Sequence, residues 1–158
     1  MASAEKQESS ILRDTLIAAY SMKIADLRKE IESYKNEANI WKVADGITNS
    51  GGNLCLHLVG NLNHFIGARI GNTGYVRDRD AEFSDTGLSR YDLLGRIDDM
   101  AEVVEATLAG LNDEILSDDY PEMLFDKQMD NGTVLAYMSG HLSYHLGQLN
   151  YHRRLLDK

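Results

Sequence analysis

A regular spacing of apolar side chains near the N-terminus constrains the fold more than any other feature of this sequence. Between residues 11 and 36, large apolar side chains recur every three or four positions, at Leu16, Tyr20, Ile24, Leu27, Ile31 and Tyr34. That period places all of them along one side of an α-helix. Because the opposite side is charged, the segment predicts an amphipathic helix that packs into a helical bundle.

Three further segments show the same helical pattern, and little in the sequence would interrupt them. They span about residues 50–70, 89–112 and 132–156. Ser89 followed by Asp92 resembles a capping box at the start of the third helix. The chain contains only one proline, and a scarcity of helix breakers favours an all-α fold. We therefore expect four helices around one core.

Composition and charge exclude several classes of protein. The formal net charge is -9, so the phosphate backbone of a nucleic acid would be repelled. No apolar run approaches the roughly 20 residues that a membrane-spanning helix needs. The polar N-terminus is unlike a signal peptide, and the single cysteine, Cys55, cannot form an internal disulfide. We expect one cytoplasmic domain that fills residues 1–158, with its core in residues 10–157.

Histidines on one face of the predicted fourth helix point to a metal site. His141, His145, Gln148 and His152 share that face, since three or four residues separate each from the next. His141 and His145, one turn apart, form a ready pair of metal ligands. His152 lies roughly 10.5 Å further along the helix than His145, too far to share the same ion. The alternative is that these histidines are ordinary core residues with polar partners.

The surroundings of this face predict that it points into the protein. Leucines run along one side of it, and aromatic residues run along the other, at Tyr137, Tyr144 and Tyr151. We expect the tyrosines to serve in packing rather than in catalysis. The histidines would then occupy the middle of the buried arc.

The second predicted helix offers the third ligand. His57, Asn61 and His64 share one face of it. Three histidines from two helices would leave one coordination position open, as in catalytic rather than structural zinc sites. The two histidines of this helix are about 10.5 Å apart along its axis, so only one of them can join the ion. Asn61, Gln148 and His152 are the candidates for orienting the ligands, although the two amides would also fit a mutual pair in the core.

A long irregular segment joins the second helix to the third. Residues 71–88 are rich in glycine, arginine and aspartate, and long loops without periodicity are often functional. The segment is long enough to let the two helices run parallel. We expect it to fold back over the metal end of the bundle and to bring Glu82 or Arg79 there. The alternative is a solvated loop.

Three segments together resemble the DinB-like (YfiT-like) family of metalloenzymes. They are His57-Leu-Val-Gly-Asn-Leu, Arg77-Asp-Arg-Asp-Ala-Glu-Phe, and His141-Leu-Ser-Tyr-His145-Leu-Gly-Gln148. Their order and spacing cover about residues 10–157. The resemblance implies a four-helix bundle with up-down-down-up topology. It also implies a divalent ion, nickel or zinc, held by His57, His141 and His145.

The resemblance implies an activity and an assembly as well. Characterised relatives are metal-dependent transferases and isomerases that use low-molecular-weight thiols such as bacillithiol, mycothiol or glutathione, and many are homodimers. No segment here resembles the extra domain of the mycothiol-dependent isomerases. We therefore predict a thiol S-transferase-like or hydrolase-like enzyme that acts on a small molecule, with Glu82 and His64 as candidate catalytic residues. The alternative is a non-catalytic module that binds a metal or small ligand as a sensor or store.

Overall fold

The computed structural model describes residues 10–158, and four long helices form its frame. Residues 1–9, on which the prediction of no signal peptide rests, lie outside the described residues. The helices are α1 (Ile11–Glu32), α2 (Gly51–Leu62), α3 (Arg79–Ser84), α4 (Arg90–Ala109), α5 (Asp113–Ser117) and α6 (Asn131–Leu156). A 3₁₀ helix (Glu37–Trp41) precedes α2, and a π-helix (Asn63–Ala68) continues it. No strand occurs in this part of the chain, which confirms the all-α prediction.

The four long helices run up, down, down and up. Tyr20, in the first half of α1, donates a 2.7 Å hydrogen bond to the carbonyl of Leu135 in the first half of α6, and an ion pair joins the last turns of the two helices, so these helices are parallel. α2 runs the opposite way along α6, because its first residue, Gly51, contacts His152 near the end of α6. α4 is antiparallel to α1, since the end of α1 contacts the first half of α4. The topology implied by the resemblance is confirmed.

The long helices begin at caps that the sequence supplies. The cap side chains each accept a hydrogen bond from a backbone N–H three residues further on, and they are Ser10, Ser50, Ser89 and Asp130. Ser89 and Asp92 form the predicted capping box. α1 ends at Glu32, earlier than predicted, because Asn36 caps the following 3₁₀ helix instead. None of these helices combines the length and apolarity that crossing a bilayer requires.

Burial follows the predicted seam of α1 but departs from the prediction on α6. The six apolar side chains of the α1 seam are at most 7% exposed. On α6 the side chains of Leu135, Leu142 and Leu149 are fully buried, whereas those of Tyr137, Tyr144 and Tyr151 are 45% to 63% exposed. The prediction that the histidine face lies in the middle of the buried arc was therefore wrong, because its tyrosine flank is exposed. The buried arc is centred on the leucines, which leaves His141 and His145 at its edge, whereas His152 is buried. The homodimer stays a prediction.

The crossover from α2 to α4 packs against α2. Asn53 holds it there by donating hydrogen bonds to the backbone carbonyls of Glu82 and Asp85, at 3.0 and 2.8 Å. Gly60 permits the close approach, because a side chain at that position would collide with the carboxylate of Glu82. The crossover therefore folds back along the bundle and brings α3 beside the middle of α2.

A buried carboxylate after α6 ties the C-terminus to the turn that follows α1. Asp157 accepts hydrogen bonds from the backbone N–H groups of Lys35 and Asn36, at 2.6 and 3.1 Å, and from the amide of Asn39 at 2.8 Å. Burial opposes its ionisation, but the three donors together outweigh burial and lower the pKa of Asp157. The ionised carboxylate is therefore part of the native packing.

We expect Asp157→Ala to lower the free energy of unfolding by about 1–3 kcal/mol at pH 7, because three donors lose their acceptor. The loss should shrink in acid. A carboxyl group whose pKa falls on folding stabilises the native state above its unfolded pKa, near ~4, and that contribution disappears as the pH drops through the folded pKa. Urea denaturation of both proteins between pH 7 and about pH 3 measures the difference, and a difference independent of pH would contradict the assignment.

Candidate metal centre

Three histidines from α2 and α6 meet in the space between those helices. Nε2 of His141 lies 3.4 Å from Nε2 of His57 and 3.2 Å from Nε2 of His145. One ring nitrogen from each side chain lies within 4.8 Å of the other two. Nitrogens bound tetrahedrally to a zinc-type ion at about 2.1 Å are about 3.4 Å apart. The two measured separations therefore fit ligands of one shared ion.

The protonation of the cluster also suits a metal. Burial, together with the neighbouring His145 and His57, lowers the pKa of His141 to about 4. Burial likewise lowers the pKa of His145. Both rings are therefore neutral near pH 7, and neutral imidazole is the form that binds metal ions. Converging neutral imidazoles have few protons to share among themselves, so a cation satisfies their lone pairs better than mutual hydrogen bonds do.

The cluster is closed on the α2 side and partly open on the α6 side. His57 is 5% exposed, whereas His141 and His145 are half-buried. The Phe83 ring lies 4.9 Å from the ring of His57, and the Tyr144 ring lies 5.0 Å from that of His145, measured between centroids. Aromatic side chains thus flank a cluster whose two α6 histidines are partly exposed to solvent.

Side chains hold the outer nitrogens of two of the three rings. Oε2 of Glu82 lies 2.9 Å from Nδ1 of His57, and Oε1 of Gln148 lies 2.7 Å from Nδ1 of His145. Acceptors in these positions keep the proton on Nδ1 and turn the Nε2 lone pair inward. Nδ1 of His141 is buried and has no partner within residues 10–158.

Arg77 fixes Glu82 in this position. Its Nε and Nη2 atoms lie 2.6 and 2.8 Å from the two carboxylate oxygens, and its guanidinium lies over the ring of Phe65. Burial, the largest influence, would raise the pKa of Glu82, but the hydrogen bonds from His57 and Arg77 outweigh burial and lower it. Glu82 is therefore an ionised acceptor for His57, with both of its oxygens engaged.

The remaining sequence-predicted residues lie in other environments. Nε2 of His64 lies 3.5 Å from a carboxylate oxygen of Glu122. His152 is hydrogen-bonded at Nδ1 to the hydroxyl of Tyr34 and at Nε2 to the carbonyl of Lys42, at 2.7 and 2.8 Å. The structure thus joins neither histidine to the three-histidine cluster. His152 instead links α6 to the region around the 3₁₀ helix.

Two further residues, Arg79 and Asn61, were also predicted to lie near the metal. The guanidinium of Arg79 lies over the ring of Phe83 instead. Asn61 lies one turn beyond His57 on α2 and is buried, and its Oδ1 lacks a hydrogen-bond partner among the residues that the structure covers. The alternative in which Asn61 and Gln148 pair with each other does not occur, because the Gln148 amide contacts His145 and the Tyr144 hydroxyl.

A solved structure shares this architecture. A DinB-like protein from Bacillus cereus ATCC 10987 superposes with a TM-score of 0.70 at 15% sequence identity, covering 90% of this chain and 91% of that chain. This chain has the DinB-like fold. No protein-family model and no curated protein matches it. At this identity the likeness establishes the fold, and any functional argument rests on the histidine geometry.

Proposed function

We propose that the protein binds one divalent cation per chain through Nε2 of His57, His141 and His145, and that this centre catalyses a transferase or hydrolase reaction on a small molecule. The convergence of the three Nε2 atoms is the observation that supports it most. Nickel and zinc are both suited to imidazole ligands. Three protein ligands leave a coordination position for a substrate, as in catalytic zinc sites.

A divalent cation held by these three histidines would supply Lewis-acid chemistry, which lowers the pKa of a thiol or water and so yields a nucleophile near neutral pH. The residues of this chain set the geometry around it. Glu82 and Gln148 hold the rings of His57 and His145 through their outer nitrogens. Phe83 and Tyr144 flank the rings and restrict the side from which a substrate approaches.

The contacts of Glu82 support an orienting role over proton transfer. The hydrogen bonds from His57 and Arg77 that lower the pKa of Glu82 also make it a weaker base. His64 is the other candidate base, and its nearest carboxylate is Glu122. Burial lowers the pKa of His64, so its ring is neutral and able to accept a proton at neutral pH. A catalytic role for either residue stays a prediction.

The thiol transferase is the form of the proposal favoured by the resemblance to thiol-using DinB-like enzymes. Turnover of a small electrophile such as 1-chloro-2,4-dinitrobenzene should require both added Ni²⁺ or Zn²⁺ and a thiol from a set that includes bacillithiol, mycothiol and glutathione. His57→Ala should abolish this turnover without unfolding the bundle, since the ion loses its buried ligand. Stopped assays report the rate, and circular dichroism reports the fold.

Two results would redirect this proposal. Metal-dependent hydrolysis of p-nitrophenyl esters without any thiol would make the protein a hydrolase that uses the same centre. Stoichiometric metal binding with no metal-dependent reaction in either screen would contradict catalysis and favour the sensor or store.

A further inference from the structure

Two buried polar atoms on facing helices lack hydrogen-bond partners in the described chain. They are Nδ1 of His141 on α6 and Oδ1 of Asn61 on α2. Buried polar atoms are paired in the great majority of cases, so each unpaired one calls for an explanation. An imidazole whose Nε2 lone pair faces a cation carries its proton on Nδ1. His141 then needs an acceptor, and the oxygen of an amide is one.

The direction of the helices brings these two residues to the same level of the bundle. Asn61 follows His57 by one turn and so shares the face of α2 that meets His141 across the interface. α2 and α6 are antiparallel. One turn along α2 from His57 to Asn61 therefore corresponds on α6 to a shift from the level of His145 towards that of His141 and the N-terminus of α6. Side chains on a helix lean towards its N-terminus, which turns the amide of Asn61 back towards the cluster.

We propose that Asn61 is a positioning residue of the metal centre, whose Oδ1 accepts a hydrogen bond from Nδ1–H of His141 when an ion is bound. The inference rests on the proposed metal binding and deepens it. Each ligand then has its own acceptor, since Glu82 serves His57 and Gln148 serves His145. Asn61 is 4% exposed, so bulk water competes little for this hydrogen bond.

Removal and replacement of the acceptor test this role. In Asn61→Leu the affinity for Zn²⁺ should fall about 10–100-fold, the usual effect of losing an outer partner of a metal-bound histidine. Asn61→Asp keeps an acceptor in place and should restore the affinity. A competition titration against a chromophoric chelator measures all of the variants.

Asn131 offers a matched control. Its Oδ1 is also buried and unpaired within the described range, but it lies at the start of α6, where its amide nitrogen donates to the carbonyl of Ile115 on α5. Asn131→Leu should lower thermal stability and leave the affinity for Zn²⁺ at the wild-type value. An equal fall in affinity in Asn131→Leu would mean that lost stability alone explains the Asn61 result, and would overturn the proposal.

Nitrogen-detected NMR of the histidine rings in the zinc-loaded protein observes the Nδ1–H group of His141 directly. A purely structural role of Asn61 would leave that signal unchanged. The Nδ1–H proton of His141 should exchange slowly in the wild type and rapidly in Asn61→Leu. In Asn61→Asp the resonance of this proton should shift downfield, because a carboxylate is the stronger acceptor. If Asn61→Leu does not fold, Asn61→Asp alone tests whether Asn61 contacts His141. A resonance that is unmoved in Asn61→Asp would overturn the role of Asn61.

The outcomes separate this inference from the proposed function. A wild-type protein that fails to bind Zn²⁺ would overturn both. A wild type that binds Zn²⁺, together with an Asn61→Leu variant of equal affinity and an unchanged His141 signal, would overturn the role of Asn61 alone.

Discussion

Replacing His145 by alanine is expected to weaken the binding of Zn²⁺ or Ni²⁺ by about 100-fold or more. The change removes one of three converging nitrogens and leaves His141 without its neighbour on α6. Structural zinc sites with four ligands bind with about 10–16 kcal/mol, so one ligand contributes on the order of 3 kcal/mol. Isothermal titration with each metal measures the loss, and full occupancy in the variant would remove His145 from the ligand set.

His64→Ala is the matched control for this experiment. It deletes another half-buried imidazole, but one whose partner is Glu122 rather than the cluster. It should bind the metals with wild-type affinity. Both variants, and the wild type after chelation, should keep a helical circular dichroism spectrum, because the buried seam of α1 has no part in the site. Loss of helix on chelation would instead make the ion structural.

Glu82→Ala should reduce both metal affinity and stability. His57 loses the acceptor for its outer nitrogen, which typically weakens metal binding about 10–100-fold. Arg77 loses its carboxylate partner, and removing one member of a buried ion pair costs about 3–5 kcal/mol. The lower end of that range applies here, because the Arg77 side chain is 13% exposed to water.

Asp80→Ala gives the comparison for Glu82→Ala. Asp80 is an exposed carboxylate on the same short helix, α3, so its removal changes the charge by the same amount without touching the cluster. Urea denaturation and zinc titration of the two variants separate the local effect from the effect of net charge. Unchanged zinc affinity in Glu82→Ala would remove Glu82 from the support of His57.

Periodicity predicted α1 well and α6 only in part, for a physical reason. Charged residues on the outer side of α1 define where its buried arc ends. On α6 the histidines lie between leucines and tyrosines, and hydropathy alone does not decide which flank is buried. A tyrosine ring can cover apolar surface while its hydroxyl stays in water. The exposed rings of Tyr144 and Tyr151 show that the leucine flank is the buried one.

Some features of the site follow from the spacing of residues within one helix, and others depend on contacts between distant parts of the chain. The pairing of His141 with His145 is a property of one helix, so spacing alone predicts it. The choice of His57 over His64 needed the resemblance, because both fall on one face of the helix that the sequence predicts there. The contact between His57 and Glu82 depends on how the crossover folds back. A charged run in a loop does not reveal which of its side chains are paired, so the part played by Arg77 was missed.

X-ray absorption spectroscopy of the protein loaded with one equivalent of zinc tests most directly whether three histidines hold one divalent ion. Three imidazole nitrogens should coordinate the zinc at about 2.0–2.1 Å. No sulfur ligand is expected, since Cys55 is fully buried in the core and burial raises the pKa of its thiol to about 12. Fewer than three imidazoles, or a sulfur atom at about 2.3 Å, would contradict a three-histidine centre.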